Sequence, residues 1–431
     1  MRNFLLLLLA AFVLGGYIYW VEIKGAREKQ EEKVWSERLF PVKKENITKI
    51  TIGDTIVLER QKDSHWQLIK PIHDEAEPAS VNRLLEAIDS AKINTSLEGH
   101  FKDYGLDQPD NVLSLFSTAK NIKVFIGRSD YSGRSVYVHL QDNPKIYLTA
   151  LELKLALNDD PYYWRSKTLF SLLPDQVTHL ELTRPSGKVV LQKENNTWRL
   201  SEPLQDRANS ANVNAILYEL RYTKPLLFID EIKKQEFGLD QPLVQLTAIA
   251  GKESETFLIG KKHGENYYAY NPARPAVVLI GQELVNKLLF SVDQLRDLVL
   301  VPLSLGEVKR VEVNGQDKHL VFSEENGIWR EKEKGQVDMY PIWWRLANVR
   351  IAQFDARVDF NAPFVTWKVT TQDGKIYQYE AVKAAQGQAG CYVRELPSGR
   401  TGLLHKEDCD NLDLTLSLVQ PKSKPSSAAP S

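Results

Sequence analysis

Apolar and polar residues alternate in short segments along most of this chain, and the alternation recurs in three similar stretches. The first segment of each stretch begins at Ile47, Val177 or Val308, and a second alternating segment with a tryptophan follows it. Strict alternation predicts a half-buried β-strand. Because a tryptophan stands at the same place in each stretch, we predict three homologous repeats in which this ring packs in the core. The three residues are Trp66, Trp198 and Trp329.

A helical pattern follows the tryptophan in every repeat. Apolar residues recur there at positions i, i+3, i+4 and i+7, a spacing that places them along one face of an amphipathic helix. In the third repeat this spacing is filled by Tyr340, Trp343, Trp344 and Ala347, which favours core packing of both tryptophans. The stripes of the first two repeats are Val81, Leu84, Leu85 and Ile88, and Val213, Ile216, Leu217 and Leu220.

The pentapeptide Gly-Leu-Asp-Gln-Pro follows the first two helices, at residues 105–109 and 238–242. The third repeat keeps only the sequence Phe-Asn-Ala-Pro at residues 360–363. Glycine, aspartate and proline within five residues favour a turn into the next strand. A binding loop is the alternative interpretation of this motif.

The order of elements within each repeat is a β-meander, a helix, a second β-meander and a short helix. Meanders form antiparallel sheets, and helices that cover one face of such sheets are typical of α+β proteins. We therefore predict an α+β fold of three tandem repeats, each an antiparallel β-meander plus helix, with the third repeat diverged. The repeats span residues 38–165, 166–296 and 297–418, and a predicted disordered tail occupies residues 419–431.

The N-terminal segment has a different pattern. Residues 4–21 form an uncharged run, close in length to the roughly 20 residues of a transmembrane helix, and the run ends in aromatic residues. We predict an uncleaved anchor at residues 1–21 and a charged helical stem at residues 22–37, with a cleaved signal peptide as the alternative. Basic residues after the run favour a cytoplasmic C-terminal side. However, a short tail before the first span is the usual form of a signal anchor, and long domains translocate largely regardless of flanking charge. We therefore expect most of the chain to lie outside the cytoplasm.

Candidate chemistry is sparse. Cys391 and Cys409 could form a disulfide in an oxidising compartment, and the alternative is two unrelated buried thiols. No histidines or cysteines have the spacing of a zinc site, and neither a nucleophile elbow nor a phosphate-binding loop is present. With 55 basic against 56 acidic residues, the chain has no broad basic surface for nucleic acid. We therefore predict no enzymatic activity, no cofactor and no metal site.

Two aromatic clusters are candidate contacts with a partner or a glycan. The first immediately precedes Arg165 at the end of the first repeat, and Arg296 holds the equivalent place in the second, which favours sealing of the junction instead. The second lies on the third-repeat helix and becomes the best candidate for a partner contact if either ring is exposed. The candidate residues are Tyr162, Tyr163 and Trp164 in the first cluster and Trp343 and Trp344 in the second.

Taken together, these features resemble the bacterial family of domain of unknown function 4340. The resemblance rests on the anchor with its charged stem, the "LFP" lead-in before "ITKITI", the "YGLDQP" turn and the "IG…YV…IYLT" block. It covers residues 1–300 well and the third repeat loosely. Members are typically membrane-anchored and often encoded beside ABC transporter genes of the gliding-motility type. The resemblance implies an auxiliary envelope protein and supplies no catalytic residues.

We therefore expect a non-enzymatic scaffold or binding protein that spans the bacterial inner membrane once and places most of its chain in the periplasm. The expected partner is a protein such as an ABC transporter complex. A carbohydrate- or peptidoglycan-binding envelope protein is one alternative, suggested by 9 tryptophans and 17 tyrosines. An uncharacterised hydrolase is the other.

Overall fold

The computed structural model describes residues 37–415, apart from residues 119, 316–317, 355–357 and 386–388. The predicted anchor and tail, and the predicted stem up to residue 36, lie outside the described residues. Within the part of the chain that is described, no helix is both long enough and apolar enough to span a membrane.

The first repeat forms one nine-stranded antiparallel sheet. Its strands are β1 (Ile47–Ile52), β2 (Ile56–Arg60), β3 (Trp66–Lys70), β4 (Asp74–Glu75), β5 (Thr95–Leu97), β6 (Asn111–Ser117), β7 (Ile122–Ser129), β8 (Ser135–Leu140) and β9 (Ile146–Ala150); its helices are α1 (Pro78–Ser90), α2 (Glu152–Leu155) and α3 (Pro161–Trp164), with 3₁₀ turns at Lys44–Asn46 and Phe101–Tyr104. The strand order is β4-β3-β2-β1-β6-β7-β8-β9-β5. Both predicted meanders therefore share one sheet, joined where Ile50 of β1 lies opposite Leu115 of β6.

Helix α1 packs on this sheet through the predicted stripe, whose four residues are all buried. Ile47, Ile50 and Ile52 of β1 are buried in the same core, and Trp66 is buried there as predicted. A buried tryptophan contributes a large apolar area to such a core. The alternating residues of the strands and the apolar stripe of α1 thus determine which face of the sheet packs against which face of the helix.

The second repeat forms a sheet of the same design. Its strands are β10 (His179–Arg184), β11 (Gly187–Glu194), β12 (Thr197–Glu202), β13 (Asp206–Arg207), β14 (Leu227–Ile229), β15 (Val244–Ala250), β16 (Glu253–His263), β17 (Asn266–Tyr270) and β18 (Val277–Ile280); its helices are α4 (Ser210–Tyr222), α5 (Gln282–Leu288) and α6 (Val292–Leu295), with a 3₁₀ turn at Pro174–Gln176. The order is β13-β12-β11-β10-β15-β16-β17-β18-β14. Trp198 is buried, and so are the four predicted stripe residues of α4.

The third repeat repeats the topology, so three sheets fit the three predicted tandem repeats. Its strands are β19 (Val308–Gly315), β20 (His319–Glu325), β21 (Ile328–Glu331), β22 (Gly335–Gln336), β23 (Ile351–Phe354), β24 (Val365–Thr371), β25 (Ile376–Lys383), β26 (Cys391–Leu396) and β27 (Thr401–Leu404); its helices are α7 (Tyr340–Ala347) and α8 (Lys406–Thr415), with a 3₁₀ turn at Leu305–Glu307. The order is β22-β21-β20-β19-β24-β25-β26-β27-β23. Strands dominate all three repeats.

The predicted stripe of α7 is wrong by one position. The helix buries Ile342, Trp343 and Leu346, whereas Trp344 is 52% exposed and Tyr340 is 66% exposed. Two apolar rows lie side by side on this helix, and both satisfy a period of 3.6 residues. Packing selects the row that carries Leu346 in place of the smaller Ala347.

The edge strands β4, β13 and β22 are homologous but not identical. In the first two sheets this strand begins with an aspartate, Asp74 or Asp206, each opposite a buried leucine of the neighbouring strand. In the third sheet Gly335 holds this place, opposite Glu331. The third repeat therefore lacks a carboxylate at a position where the other two have one.

The repeated pentapeptide forms a turn that packs against the second meander. Gly105 and Gly238 have φ angles of 72° and 67°, a left-handed conformation that glycine adopts without strain. The leucine that follows each glycine is buried. In the second repeat a Cβ atom on Gly260 would collide with the carbonyl oxygen of Phe237. The positive φ angles account for the glycines of the motif, and the close approach of the turn accounts for Gly260 on the second meander.

The chain packs into two compact units. One contains the described residues up to Leu169 together with Thr223–Lys233 and Ala269–Ile280. The other contains Phe170–Tyr222, Lys234–Tyr268 and the described residues from Gly281 onward. The segment Thr223–Lys233 contains β14, the last strand in the order of the second sheet. This strand therefore belongs to the first compact unit.

Candidate functional site

The aromatic cluster at the end of the first repeat lies at a junction. The Trp164 side chain is fully buried in the first core, and Tyr163 packs against that core. The hydroxyl of Tyr162 donates to the carbonyl oxygen of Pro225 at 2.9 Å, and its ring meets Phe228 edge-on at a centroid distance of 5.6 Å. These contacts connect the end of the first repeat to the short strand β14.

The two tryptophans of α7 have different environments. Trp343 is 5% exposed and belongs to the third core, while Trp344 lies in the neighbouring row of the helix and is 52% exposed. Tyr340 lies one helical turn before Trp344, and residues at this spacing are neighbours on a helix surface. The helix therefore presents a pair of aromatic rings, Tyr340 and Trp344, on a backbone that Trp343 fixes to the core. We call this pair the α7 aromatic face.

A buried aspartate with two arginines lies beside the first cluster, and we call it the first joint. Asp74 accepts a hydrogen bond from Nε of Arg165 at 2.9 Å and another from Nε of Arg274 at 2.8 Å. The first arginine ends the first repeat, whereas the second lies in the turn between β17 and β18. Arg165 also pairs with Asp230 at 2.7 Å, and its guanidinium carbon lies 4.0 Å from the ring centroid of Phe228.

Arg274 has partners for all of its nitrogen atoms. Besides the bond from Nε to Asp74, its Nη1 donates to the carbonyl oxygen of Thr168 at 2.7 Å and its Nη2 to that of Ser166 at 3.1 Å. A buried guanidinium group with a full set of acceptors avoids the cost of unmade hydrogen bonds. Arg274 therefore makes a full set of hydrogen bonds within the first joint.

The same arrangement occurs once more, one repeat further along the chain, and we call it the second joint. Asp206 accepts from Nε of Arg296 at 2.6 Å and from Nη1 of Arg400. The first arginine ends the second repeat, and the other lies in the turn between β26 and β27. The ring of Phe354, on the short strand β23, lies 3.4 Å from the guanidinium carbon of Arg296.

The second joint carries one additional cation. Arg207 stands where the first repeat has Glu75, since both follow the joint aspartate in the edge strand. Its Nη1 lies 3.2 Å from the buried carboxylate of Glu395, and its Nη2 donates to the carbonyl oxygens of Val299 and Leu300 at 2.9 and 3.0 Å. The second joint is thus a larger ion-pair network than the first.

Burial has an electrostatic consequence at Arg400. Desolvation lowers the pKa of its guanidinium group, and the positive charge of Arg207 acts in the same direction, whereas Asp206 raises it. Arginine remains charged at physiological pH in spite of such shifts. Because its arginines stay charged, the network needs its carboxylates to balance their positive charges.

Two clefts border the second joint. One, of about 410 Å³, is lined by Arg199, Arg207 and Glu395, among others. The other, of about 310 Å³, is lined by Leu204, Gln205, Asp206, Asp293, Arg296, Phe354, Ser398, Gly399, Arg400 and Thr401. Over residues 37–415, outside the gaps given above, no group of three or more histidine, cysteine, aspartate or glutamate side chains is placed to hold a metal ion.

Cys391 and Cys409, for which two interpretations were open, form a disulfide between β26 and α8. Cys409 and Leu412 of α8 belong to the third core. The bond therefore attaches the last described helix to the third sheet.

Sequence reasoning identified the equivalence of Arg165 and Arg296 but missed the joints that they form. Asp74 and Asp206 each stand eight residues after the repeat tryptophan, and this shared spacing is a usable signal. The partners from the following repeat lie in hairpin turns of different sequence, so no comparable spacing marks them. The sequence therefore indicates the aspartate of each joint and the arginine that ends the repeat, but not the arginine that comes from the following repeat.

Comparison with known proteins gives one match. The family model described as domain of unknown function (DUF4340) matches residues 66–242 and 198–361, which together cover more than half of the chain. The matches begin at Trp66 and Trp198, the same place in successive repeats, and each extends into the next repeat. No curated protein and no solved structure matches. The chain therefore belongs to the DUF4340 family.

Proposed function

We propose that this protein is a non-enzymatic scaffold or binding protein of the bacterial envelope, auxiliary to an ABC-type transporter. In this proposal residues 1–21 anchor the chain in the inner membrane, and the repeats lie in the periplasm. The α7 aromatic face is the observation that carries the proposal. It binds a protein subunit of the transporter complex.

The composition of this face fits a protein interface. Tryptophan and tyrosine are enriched among the residues that contribute most binding energy at interfaces. Trp344 and Tyr340 are both more than half exposed, and the neighbouring row of α7, which contains Trp343, is held in the third core. A rigid aromatic pair loses little conformational entropy on binding.

The compartment is supported by the disulfide between Cys391 and Cys409, which are the two cysteines of the chain. Disulfides persist in oxidising compartments such as the periplasm and are rare in the cytosol. The family resemblance and the uncharged run at residues 4–21 favour the same location.

A non-enzymatic role is supported by the state of three buried carboxylates. Asp74, Asp206 and Glu395 are all paired with arginine side chains. A general acid or base must reach a proton of the substrate, whereas these groups are held by structural partners. Their arrangement favours structural ion pairs between repeats over proton transfer.

Crosslinking in native membranes tests the proposed partner. A photoreactive phenylalanine analogue at position 344 of the full chain should capture transporter subunits. The matched control is position 86, because Glu86 is exposed at the corresponding place on α1. Capture from neither position, with glycan retained by the purified protein, would count against the proposal. A phosphatase fused after Ser431 should be active if that end is extracytoplasmic.

Carbohydrate or peptidoglycan binding is the second candidate, and one observation favours it. Tyr218 and Tyr222 on α4 are 42% and 66% exposed, and their rings are nearly parallel, with an interplanar angle of 4° and centroids 6.3 Å apart. Exposed aromatic rings can stack on sugar rings. Sedimentation with purified peptidoglycan tests this candidate, which requires that Tyr222→Ala release the protein into the supernatant.

A further inference from the structure

The edge strands β4 and β13, with the residues that follow them, pair with the end of their own repeat. In the first repeat the N–H of Glu77 donates to the carbonyl oxygen of Trp164 at 2.7 Å. The N–H of Ser166 donates to the carbonyl oxygen of Glu75 at 2.8 Å. The second repeat has the equivalent bonds from Asn209 to Leu295 at 2.8 Å and from Asp297 to Arg207 at 2.9 Å. We call residues 161–168 and 292–300, which run from one repeat into the next, the linking segments.

Another backbone hydrogen bond identifies the equivalent positions in the third repeat. The N–H of Ala76 donates to the carbonyl oxygen of Trp66 at 3.0 Å. In the third repeat the N–H of Val337 donates to the carbonyl oxygen of Trp329 at 3.0 Å. The residues on either side of Val337 therefore correspond to the two residues that pair with a linking segment in the first repeat.

These two residues, Gln336 and Asp338, have no such pairing among the residues that the structure describes. Neither the carbonyl oxygen of Gln336 nor the N–H of Asp338 bonds to the described backbone, and both residues are exposed. The neighbouring Trp329 is only partly buried, whereas Trp66 and Trp198 are buried. Exposed backbone groups at the edge of a sheet can pair with one more strand.

The chain itself has an apolar residue at the matching distance. The linking segments bury the side chain of Trp164, 14 residues after the end of β9, and that of Leu295, 15 residues after the end of β18. Counted from the end of β27, these distances lead to Leu418 and Val419, which lie outside the described residues. Helix α8 begins two residues after β27, as α2 and α5 do after β9 and β18, so the count compares equivalent positions.

Hydrogen bonding distinguishes the two registers. A linking segment accepts through the carbonyl oxygen of its buried apolar residue and donates through the N–H of the second residue after it. With Leu418 as the buried residue, the donor is Gln420. With Val419 the donor would be Pro421, which has no backbone N–H. The register with Leu418, which is that of the first repeat, is therefore the one that fits.

The ion pair of the joints is missing on both sides of this edge. Gly335 stands in the place of the joint aspartate. The residue after Leu418 is Val419, whereas both linking segments have an arginine there. A buried charge that has lost its partner is strongly destabilising. Because neither charge is present, a segment can cover the edge of the third sheet without burying an unpaired charge.

We propose that residues 416–420 pair with the β22 edge of the same chain and take the place of a linking segment. The N–H of Asp338 donates to the carbonyl oxygen of Leu418, and the side chain of Leu418 joins the third core. The N–H of Gln420 donates to the carbonyl oxygen of Gln336. This edge is then unavailable to a partner, and the predicted disordered tail begins at Pro421. The inference goes beyond the proposed function and does not depend on it.

Hydrogen exchange of the detergent-solubilised full chain tests the proposal. Leu418→Asp should accelerate exchange of the Asp338 amide by roughly tenfold or more, because a charge at the buried position expels the segment from the core. Ser417→Asp is the matched control. Its counterpart in the second linking segment, Gln294, is exposed, so the same charge there should leave exchange unchanged. Fast exchange of the Asp338 amide in the unmodified chain, or equal exchange in both variants, overturns the proposal.

A photoreactive phenylalanine analogue at position 418 identifies what covers the edge and does not require Leu418→Asp to fold. An aromatic ring suits this position, because Trp164 fills the equivalent place in the first repeat. Mass spectrometry should map its crosslinks to residues 335–340 of the same chain. The analogue at position 428, beyond Pro421, is the control and should not reach these residues. Crosslinks from position 418 to a second copy, to a different protein or to no residue of the third repeat overturn the proposal, as does equal capture from position 428.

Discussion

The first and second joints use equivalent aspartates and draw their arginines from the same two places in the repeats, yet the arginine of the following repeat is bonded differently in each. In the first, Arg274 completes its hydrogen bonds with the linking backbone. In the second, Arg207 donates to that backbone, and Arg400 donates to Asp206. The comparison teaches that one neighbouring side chain changes which backbone groups a duplicated ion-pair motif can bond.

Removal of the joint aspartate should give the largest effect and should differ between the joints. Asp206→Ala deprives Arg400 of its hydrogen-bond acceptor and should lower the free energy of unfolding by about 4–5 kcal/mol. Asp74→Ala should cost less, about 3 kcal/mol, because Arg165 keeps Asp230 and Arg274 keeps two carbonyl oxygens. Urea denaturation of both variants measures the difference. Equal costs would contradict the view that the first joint has more redundant bonding.

Reduction of the disulfide should affect the third repeat without weakening the first joint. Cys391 and Cys409 are 18 residues apart, and a loop of this size suggests a loss of about 3 kcal/mol on reduction. Hydrogen exchange measured by mass spectrometry should show faster exchange in α8 and β26. Residues around Asp74 serve as the internal control, and faster exchange there would contradict the expected confinement.

Replacing the residue after the joint aspartate by alanine should also affect the stability of the two joints differently, but by a smaller amount. Arg207→Ala leaves the buried carboxylate of Glu395 without its arginine and should cost about 2–3 kcal/mol. Glu75→Ala, at the same position of the first repeat, should change stability by less than about 0.5 kcal/mol, because Glu75 is partly exposed. Thermal melting of the two variants checks this contrast. A large cost for Glu75→Ala would show that the first joint depends on that position too.

The smallest effect on stability is expected at the α7 aromatic face. Trp344→Ala should change the free energy of unfolding by less than about 0.5 kcal/mol while reducing capture of the transporter partner. Trp343→Ala, one residue earlier in the core, should cost about 3–5 kcal/mol. Parallel urea denaturation and native-membrane pull-down separate the two roles. Unchanged capture by a folded Trp344→Ala variant would move the partner contact elsewhere.

Much of the fold follows from local pattern. The first alternating segments of the three repeats, predicted from Ile47, Val177 and Val308 onward, form the strands β1, β10 and β19. The repeat could be identified because the tryptophans and the pentapeptide recur at fixed spacing. The union of both meanders in one sheet could not, since the pairing of β1 with β6 joins segments separated by a helix and a turn.

The site was less accessible to sequence reasoning. The phase of α7 was wrong because Trp344 and Leu346 belong to two rows of equal periodicity, and only packing distinguishes them. The joints depend on Asp206 meeting Arg400, a contact across 194 residues. No spacing rule predicts contacts at that range. The aromatic cluster at Tyr162 was found because it stands beside Arg165, a residue with a counterpart in the next repeat.

Because of Gly335, the third repeat cannot form a joint with a repeat placed after it. A joint needs an aspartate on the preceding repeat and an arginine in a hairpin turn of the following one. The third repeat has Gly335 in place of the aspartate, and the β8–β9 turn of the first repeat, residues 141–145, contains no arginine. The three repeats therefore cannot be exchanged for one another. A chain with its repeats shuffled, or lengthened by copying the third, would bring together faces that cannot form the ion pairs.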